Sequence, residues 1–180
     1  MAVLLALWGL SGLSPASSPR QERDEEVVSV RTLVSQDGVH PGGTVKAAFI
    51  LSIRPGWHIN GPDLDDPFLI ASMLLVEESE SVDVLATSYP ETKTARFDYA
   101  DGDLRIYEGE VVVGVLLKAG GRAPIGDMPL KAKLLYQACD DRICLPPKTL
   151  EWEVPLRVVP PSAKIETVHG EIFSKILFEK

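Results

Sequence analysis

Two cysteines, Cys139 and Cys144, are the only thiols in the 180-residue sequence, and four residues separate them. A pair at this spacing can staple a fold, cycle as a redox disulfide, or supply half of a metal site. The metal reading fails on ligand count. A structural zinc site normally takes four ligands, and His40, His58 and His169 are scattered without ligand spacing. The Asp63, Asp65 and Asp66 cluster lacks the full calcium-loop pattern and reads as a solvated turn. Self-activation of the thiols is also disfavoured. A Cys-x-x-Cys at a helix N-terminus has its thiol pKa lowered there, whereas this pair sits among strand-like residues. Asp140 and Asp141 oppose a thiolate while Arg142 supports one. The chemistry that fits is a passive disulfide, opened by an activated thiolate from a partner and later passing its electrons on. A structural bridge remains the commoner use of a lone pair in an exported chain. Against it, the ring is small and a chain that is 45% hydrophobic should not need a local staple. Residue chemistry leaves both readings open.

The elements that would position the pair are strands. Val45, Ala47, Phe49, Leu51 and Ile53 alternate with their neighbours, the mark of a strand with one face buried. Val28 to Val34, Val82 to Leu85, Leu130 to Tyr136 and Leu150 to Leu156 give further strands, and Tyr107 to Leu117 reads as one strand covered on both sides. Turn signals such as Asp37-Gly38, Gly61-Pro62-Asp63, Asp101-Gly102 and Pro146-Pro147 fall between them. Short strands so punctuated predict an all-β, antiparallel β-sandwich. In it, one strand runs into Cys139 and Cys144 opens the next, so a hairpin brings the two Cα atoms within disulfide reach, roughly 4.4–6.8 Å. Near the C-terminus, Ile172, Phe173, Ile176 and Leu177 could line one face of a short helix, as a tail on the domain or as a linker.

Length allows one domain with a real core, expected over residues 26–160, with 161–180 as tail or linker. The formal net charge of −8 excludes the basic face that a nucleic-acid partner needs. Residues 1–18 resemble an export signal, with an apolar run from Ala2 to Leu10 and small residues Ser14 and Ala16 before a cleavage point. The basic segment that normally precedes such a run is missing. The run is also too short to cross a bilayer, which takes about 20 apolar residues.

The stretch from Tyr136 to Pro147, YQACDDRICLPP, closely resembles the active-site segment of the N-terminal periplasmic domain of the thiol:disulfide interchange protein DsbD family. Gly56 to Ile70, GWHINGPDLDDPFLI, and Tyr107-Glu108-Gly109-Glu110 resemble the same family. The resemblance implies an immunoglobulin-like sandwich with a redox cysteine hairpin. Its pair accepts electrons from a membrane-embedded donor domain and reduces periplasmic disulfide isomerases or thioredoxin-like proteins of cytochrome c maturation. It needs no cofactor beyond the Cys139–Cys144 disulfide. By position Cys144 is the sulfur attacked and Cys139 resolves. The best-known members carry one more residue between the cysteines, so the hairpin tip differs locally. The resemblance also implies a cap loop, placed at Ala95 to Asp103, with Phe97 or Tyr99 lying over the disulfide. His58 and Asn60, beside Trp57, would line the same end, and Tyr136 and Gln137 could offer hydrogen bonds to an incoming chain. An ordinary histidine after a strand is more often a surface or hydrogen-bonded residue. The resemblance implies a periplasmic location, free or tethered through a membrane domain beyond Lys180. The rival class is a secreted β-sandwich binding module with a purely structural disulfide.

Overall fold

The computed structural model describes residues 26–64 and 66–178, so the signal-like segment 1–18 lies outside the described residues. The alternating apolar residues pair where the spacing expects. Strand β1 (Val28–Val34) pairs antiparallel with β2 (Thr44–Ile53). Four further strands follow in the chain: β3 (His58–Asn60), β4 (Met73–Val76), β5 (Val82–Ser88) and β6 (Lys93–Arg96). Then come β7 (Asp103–Tyr107), β8 (Glu110–Ala119), β9 (Gly126–Asp127), β10 (Leu130–Tyr136), β11 (Ala138–Cys139), β12 (Lys148–Val154) and β13 (Arg157–Val158). One sheet has the order β1-β2-β8-β5 and another β12-β10-β4. Val45, Ala47, Phe49 and Leu51 share one buried cluster with Val113, Val115 and Leu117 of β8 and Leu130, Ala132 and Leu134 of β10. That shared cluster makes the two sheets the faces of an antiparallel, immunoglobulin-like sandwich, as period-two burial requires. Trp152 crosses between them, donating Nε1–H to Thr32 Oγ1 at 2.9 Å and meeting Phe49 edge-on at 5.8 Å.

A third sheet, β11-β3-β7-β6, sits where three long strands change partners. Strand β2 turns through Arg54–Trp57 into β3, with Trp57 N–H donating to the Arg54 carbonyl at 3.0 Å. Strand β7 turns into β8 at Gly109, and β10 passes into β11 across Gln137 alone. The expected single strand over Tyr107–Leu117 is therefore two strands. Gly109 adopts φ +68, a left-handed conformation that a side chain would strain, and its carbonyl accepts from Ile53 N–H at 2.8 Å. The break lets β7 pair with β3 while β8 pairs with β2.

The centre of the outer face of the β1-β2-β8-β5 sheet is covered too. After β13 the chain returns along the end of β1, where Val168 N–H donates to the Ser35 carbonyl at 3.0 Å. It then forms one helical turn, α1 (Gly170–Phe173). Phe173 and Ile176 bury Ala48, with Leu33, Val112, Ile172 and Phe178 packed around them. Strand β2 is consequently buried on both faces at Ala48 and Ile50, not on one as its alternation suggested. The expected helical face ends early: Leu177 is 79% exposed because the helix stops at Phe173 and the phase is lost. Gly114 of β8 lies directly beneath the tail, and a Cβ there would overlap Ile176. Among the described residues no helix is long and apolar enough to cross a membrane.

Candidate functional site

Strand β11 ends on Cys139, and the chain folds back at once so that Cys144 faces it across an antiparallel bridge. The two form a disulfide with Cα atoms 4.0 Å apart, slightly closer than the expected range. The tip between them is shaped by Asp140. Its carboxylate accepts from the N–H groups of Arg142 and Ile143, both at 2.8 Å, and its own N–H donates to the Ile143 carbonyl at 3.0 Å. Those two backbone hydrogen bonds hold the Asp140 carboxyl below the usual carboxylate range. Asp141 and Arg142 pair with each other at 3.6 Å, both exposed. The sulfurs differ in access: Cys139 is 0% exposed, whereas Cys144 is half-buried.

On its other side Cys139 stands opposite His58 of β3. Directly opposed residues of antiparallel strands project to the same face, with Cβ atoms about 4.5–5.5 Å apart. His58, Cys139 and Cys144 thus form one cross-strand row. The loop after β6 closes over the His58 end of this row. The Phe97 ring stacks on His58 with centroids 4.3 Å apart, and Tyr99 stacks in turn on Phe97 at 5.2 Å. The Tyr99 hydroxyl lies 2.8 Å from His58 Nε2. Burial pushes the tyrosine hydroxyl up to about 12, with Asp140 adding to the effect. Burial also pushes the His58 imidazole down, partly opposed by the carboxylates of Glu108 and Asp140. A neutral imidazole therefore meets a protonated phenol, and one donates to the other.

Phe97 and Tyr99 both lie in the loop after β6 and stack at His58. The loop itself is shorter than Ala95–Asp103, since Ala95 and Arg96 belong to β6 and Asp103 opens β7. Beside it opens a cleft of about 500 Å³, lined by Arg54, Trp57, His58, Lys93, Phe97 and Glu108 among others. Trp57 is partly in the core and partly at this cleft, with the Arg54 guanidinium 5.2 Å over its ring. Lys93 pairs with Glu108 at 3.1 Å.

Tyr136 and Gln137 are corrected. Neither is presented to an incoming chain, because the sheet change at Gln137 turns both inward. Tyr136 is 2% exposed and part of the main core. Gln137 is a strut: its Oε1 accepts from Ile70 N–H at 2.9 Å and its Nε2 donates to the Leu145 carbonyl at 3.2 Å. Asn60, wholly buried, donates Nδ2–H to the Ile70 carbonyl at 2.9 Å. Asn60 and Gln137 together fasten the loop after β3 to the cysteine hairpin. The sequence reading did not single out Glu108 or Asp140 as charges facing His58, nor Ile143, exposed beside Cys144. The Tyr-Glu-Gly-Glu segment was the available signal for Glu108.

A sequence model described as the N-terminal region of the thiol:disulfide interchange protein DsbD matches residues 25–155. Among solved structures, the N-terminal periplasmic domain of ScsB from Proteus mirabilis superposes with a TM-score of 0.52 at 18% identity, covering 75% of this chain. The chain spans 48% of that ScsB chain, and the likeness shows a shared fold. The reduced DsbD N-terminal domain of Neisseria meningitidis matches at 18% identity with a TM-score of 0.37, covering 77% of this chain and 88% of its own. No curated protein matches the chain.

Proposed function

Because the chain belongs to the family of the N-terminal domain of the thiol:disulfide interchange protein DsbD, we propose that it is a periplasmic protein-disulfide reductase whose Cys139–Cys144 pair carries two electrons between proteins. The observation behind this reading is the asymmetry of the pair: Cys139 is fully buried and Cys144 half-buried, with the aromatic rings of the loop after β6 stacked on His58, the residue opposite Cys139. A partner thiolate attacks the Cys144 sulfur, the one on the half-buried residue. The bond between Cys139 and Cys144 breaks, its electron pair stays on Cys139, and Cys144 joins the partner in a mixed disulfide. The partner's second thiolate then attacks its own sulfur in that mixed disulfide and frees Cys144. The domain is reduced and the partner oxidised by two electrons. In the other direction the reduced pair repeats the steps on a substrate disulfide. We assign the donor role to a membrane-embedded redox domain and the acceptor role to periplasmic disulfide isomerases or thioredoxin-like proteins. No bound cofactor enters, since the cysteine pair itself is the carrier.

The test is to equilibrate the purified protein with glutathione and dithiothreitol buffers and count free thiols. Ready exchange at a potential above about −300 mV is expected; resistance to exchange below that value would identify a structural bridge. Cys139→Ser should accumulate a mixed disulfide with a thioredoxin-like partner through Cys144, and Cys144→Ser should not.

A further inference from the structure

We propose that His58 is the proton-accepting partner of Cys139: when the disulfide opens, the imidazole takes up a proton and holds the buried sulfur as a thiolate. This rests on the exchange reading above and adds to it a residue that prepares the resolving cysteine.

The argument begins with the row His58–Cys139–Cys144 across three neighbouring segments. Opening the bond leaves a charge on Cys139, the sulfur with 0% exposure. A buried anion without a counter-charge is costly, and an apolar setting raises a thiol's pKa. Left alone, Cys139 would become a protonated thiol, a poor nucleophile for closing the disulfide again. The titratable group directly across from it is His58.

The groups facing His58 favour its protonation once an anion appears. From the β7–β8 turn comes Glu108, and from the hairpin tip Asp140. From the cap loop comes Tyr99, a hydroxyl that can accept from an imidazolium as readily as donate to an imidazole. Lys93 of β6 is held by Glu108, while Arg54 and Asp141 line the adjoining cleft. With the disulfide closed there is no thiolate beside the ring, and burial outweighs the carboxylates of Glu108 and Asp140 and disfavours protonation. With it open, the thiolate supplies the missing charge.

The step balances. The partner thiolate bonds to Cys144, the Cys139–Cys144 bond breaks, and the electron pair rests on Cys139. His58 binds one proton from solvent, giving an imidazolium–thiolate pair. When Cys139 later attacks Cys144 and expels the partner as a thiolate, His58 returns its proton to solvent. Cys139 thus stays nucleophilic without being exposed.

Two measurements test this on the intact chain, reduced with a phosphine so that no exchange partner is needed. Proton NMR of the histidine rings follows His58 in the oxidised and reduced protein, its signal distinguished from those of His40 and His169 by its loss in His58→Gln. Its titration should move to higher pH on reduction; an unchanged titration overturns the proposal. In Cys144→Ser, the ultraviolet thiolate absorbance of Cys139 is followed against pH with and without His58→Gln. Loss of His58 should displace the thiolate curve upward by about one pH unit or more, the effect of a nearby opposite charge. Coincident curves overturn the proposal. Resistance of the wild-type disulfide to thiol buffers sinks the exchange reading by a separate observation.

Discussion

At the scale of single residues, His58 is the position whose surroundings most change its meaning. Its sequence context suggested a surface or hydrogen-bonded histidine, and it does make a hydrogen bond, but under a cap and beside a disulfide. The consequence for stability has a definite sign. Burial leaves the folded imidazole harder to protonate than the unfolded one, whose ordinary value is 6.5. Between the two titrations the unfolded chain binds more protons, so stability rises with pH there. The oxidised protein should keep this contribution above the ordinary histidine value and lose it as pH falls toward the lower folded value. Denaturant midpoints measured from about pH 7.5 down to about pH 5 should decline, and His58→Gln should flatten that decline. Asp140 acts in a lower window, because its folded pKa lies below the ordinary 3.8. Its hydrogen bonds support the hairpin until pH falls through that folded value. The cysteine pair was legible in the sequence because it is local. The His58–Tyr99 contact was not, because 41 positions separate its partners.

Elements explain the remaining differences between sequence and structure. In the sequence Tyr136, Gln137 and Ala138 continue the alternation of apolar and polar residues, yet all three are buried, so nothing in that pattern marks the point where the strand leaves one sheet for another. Burial alternation records which face is dry and is silent about which neighbour is paired. For that reason the core strands were readable, while Gln137 was mistaken for a group turned toward partners. The same holds for β7 and β8, whose apolar runs merge until Gly109 separates them. The cap is an element of the least stable kind, a loop held by stacked rings and one side-chain hydrogen bond. Tyr99→Phe removes the hydroxyl and keeps the ring. Losing one such bond, about 0.5–1.5 kcal/mol, should raise the rate of disulfide reduction by glutathione about two- to tenfold. Stopped-flow rates under excess thiol check this. The equilibrium potential should change little, since the substitution leaves both cysteines and His58 in place.

For the molecule as a whole, the C-terminal return is what makes the centre of the β1-β2-β8-β5 sheet dry on both faces, at Ala48 and Gly114. Gly114 is its clearest dependence on sequence, since the Ile176 side chain occupies the place of a Cβ. Gly114→Ala should destabilise the protein by about 1–3 kcal/mol through overpacking. In an Ile176→Ala background the same change should cost less, and urea unfolding of the four proteins measures the coupling. The sequence showed apolar residues in this tail. Their target was hidden because Ala48 and Gly114 are too small to advertise an outer face that is covered.

The arrangement of the site also orders events in time. Cys139 and Cys144 are five positions apart, so the two thiols meet through local chain motion, while joining them needs an oxidant and takes seconds to hours. Everything that shelters the bond arrives from far along the chain: His58 through β3, Phe97 and Tyr99 through the segment joining β6 to β7. Pairings at such separations form late, because the entropy of bringing distant segments together must be met before their contacts form. A newly made chain whose pair is oxidised before those strands assemble therefore passes through an interval in which the disulfide exists and its guard does not. During that interval it is open to any thiol; selectivity begins only when the last strands have paired.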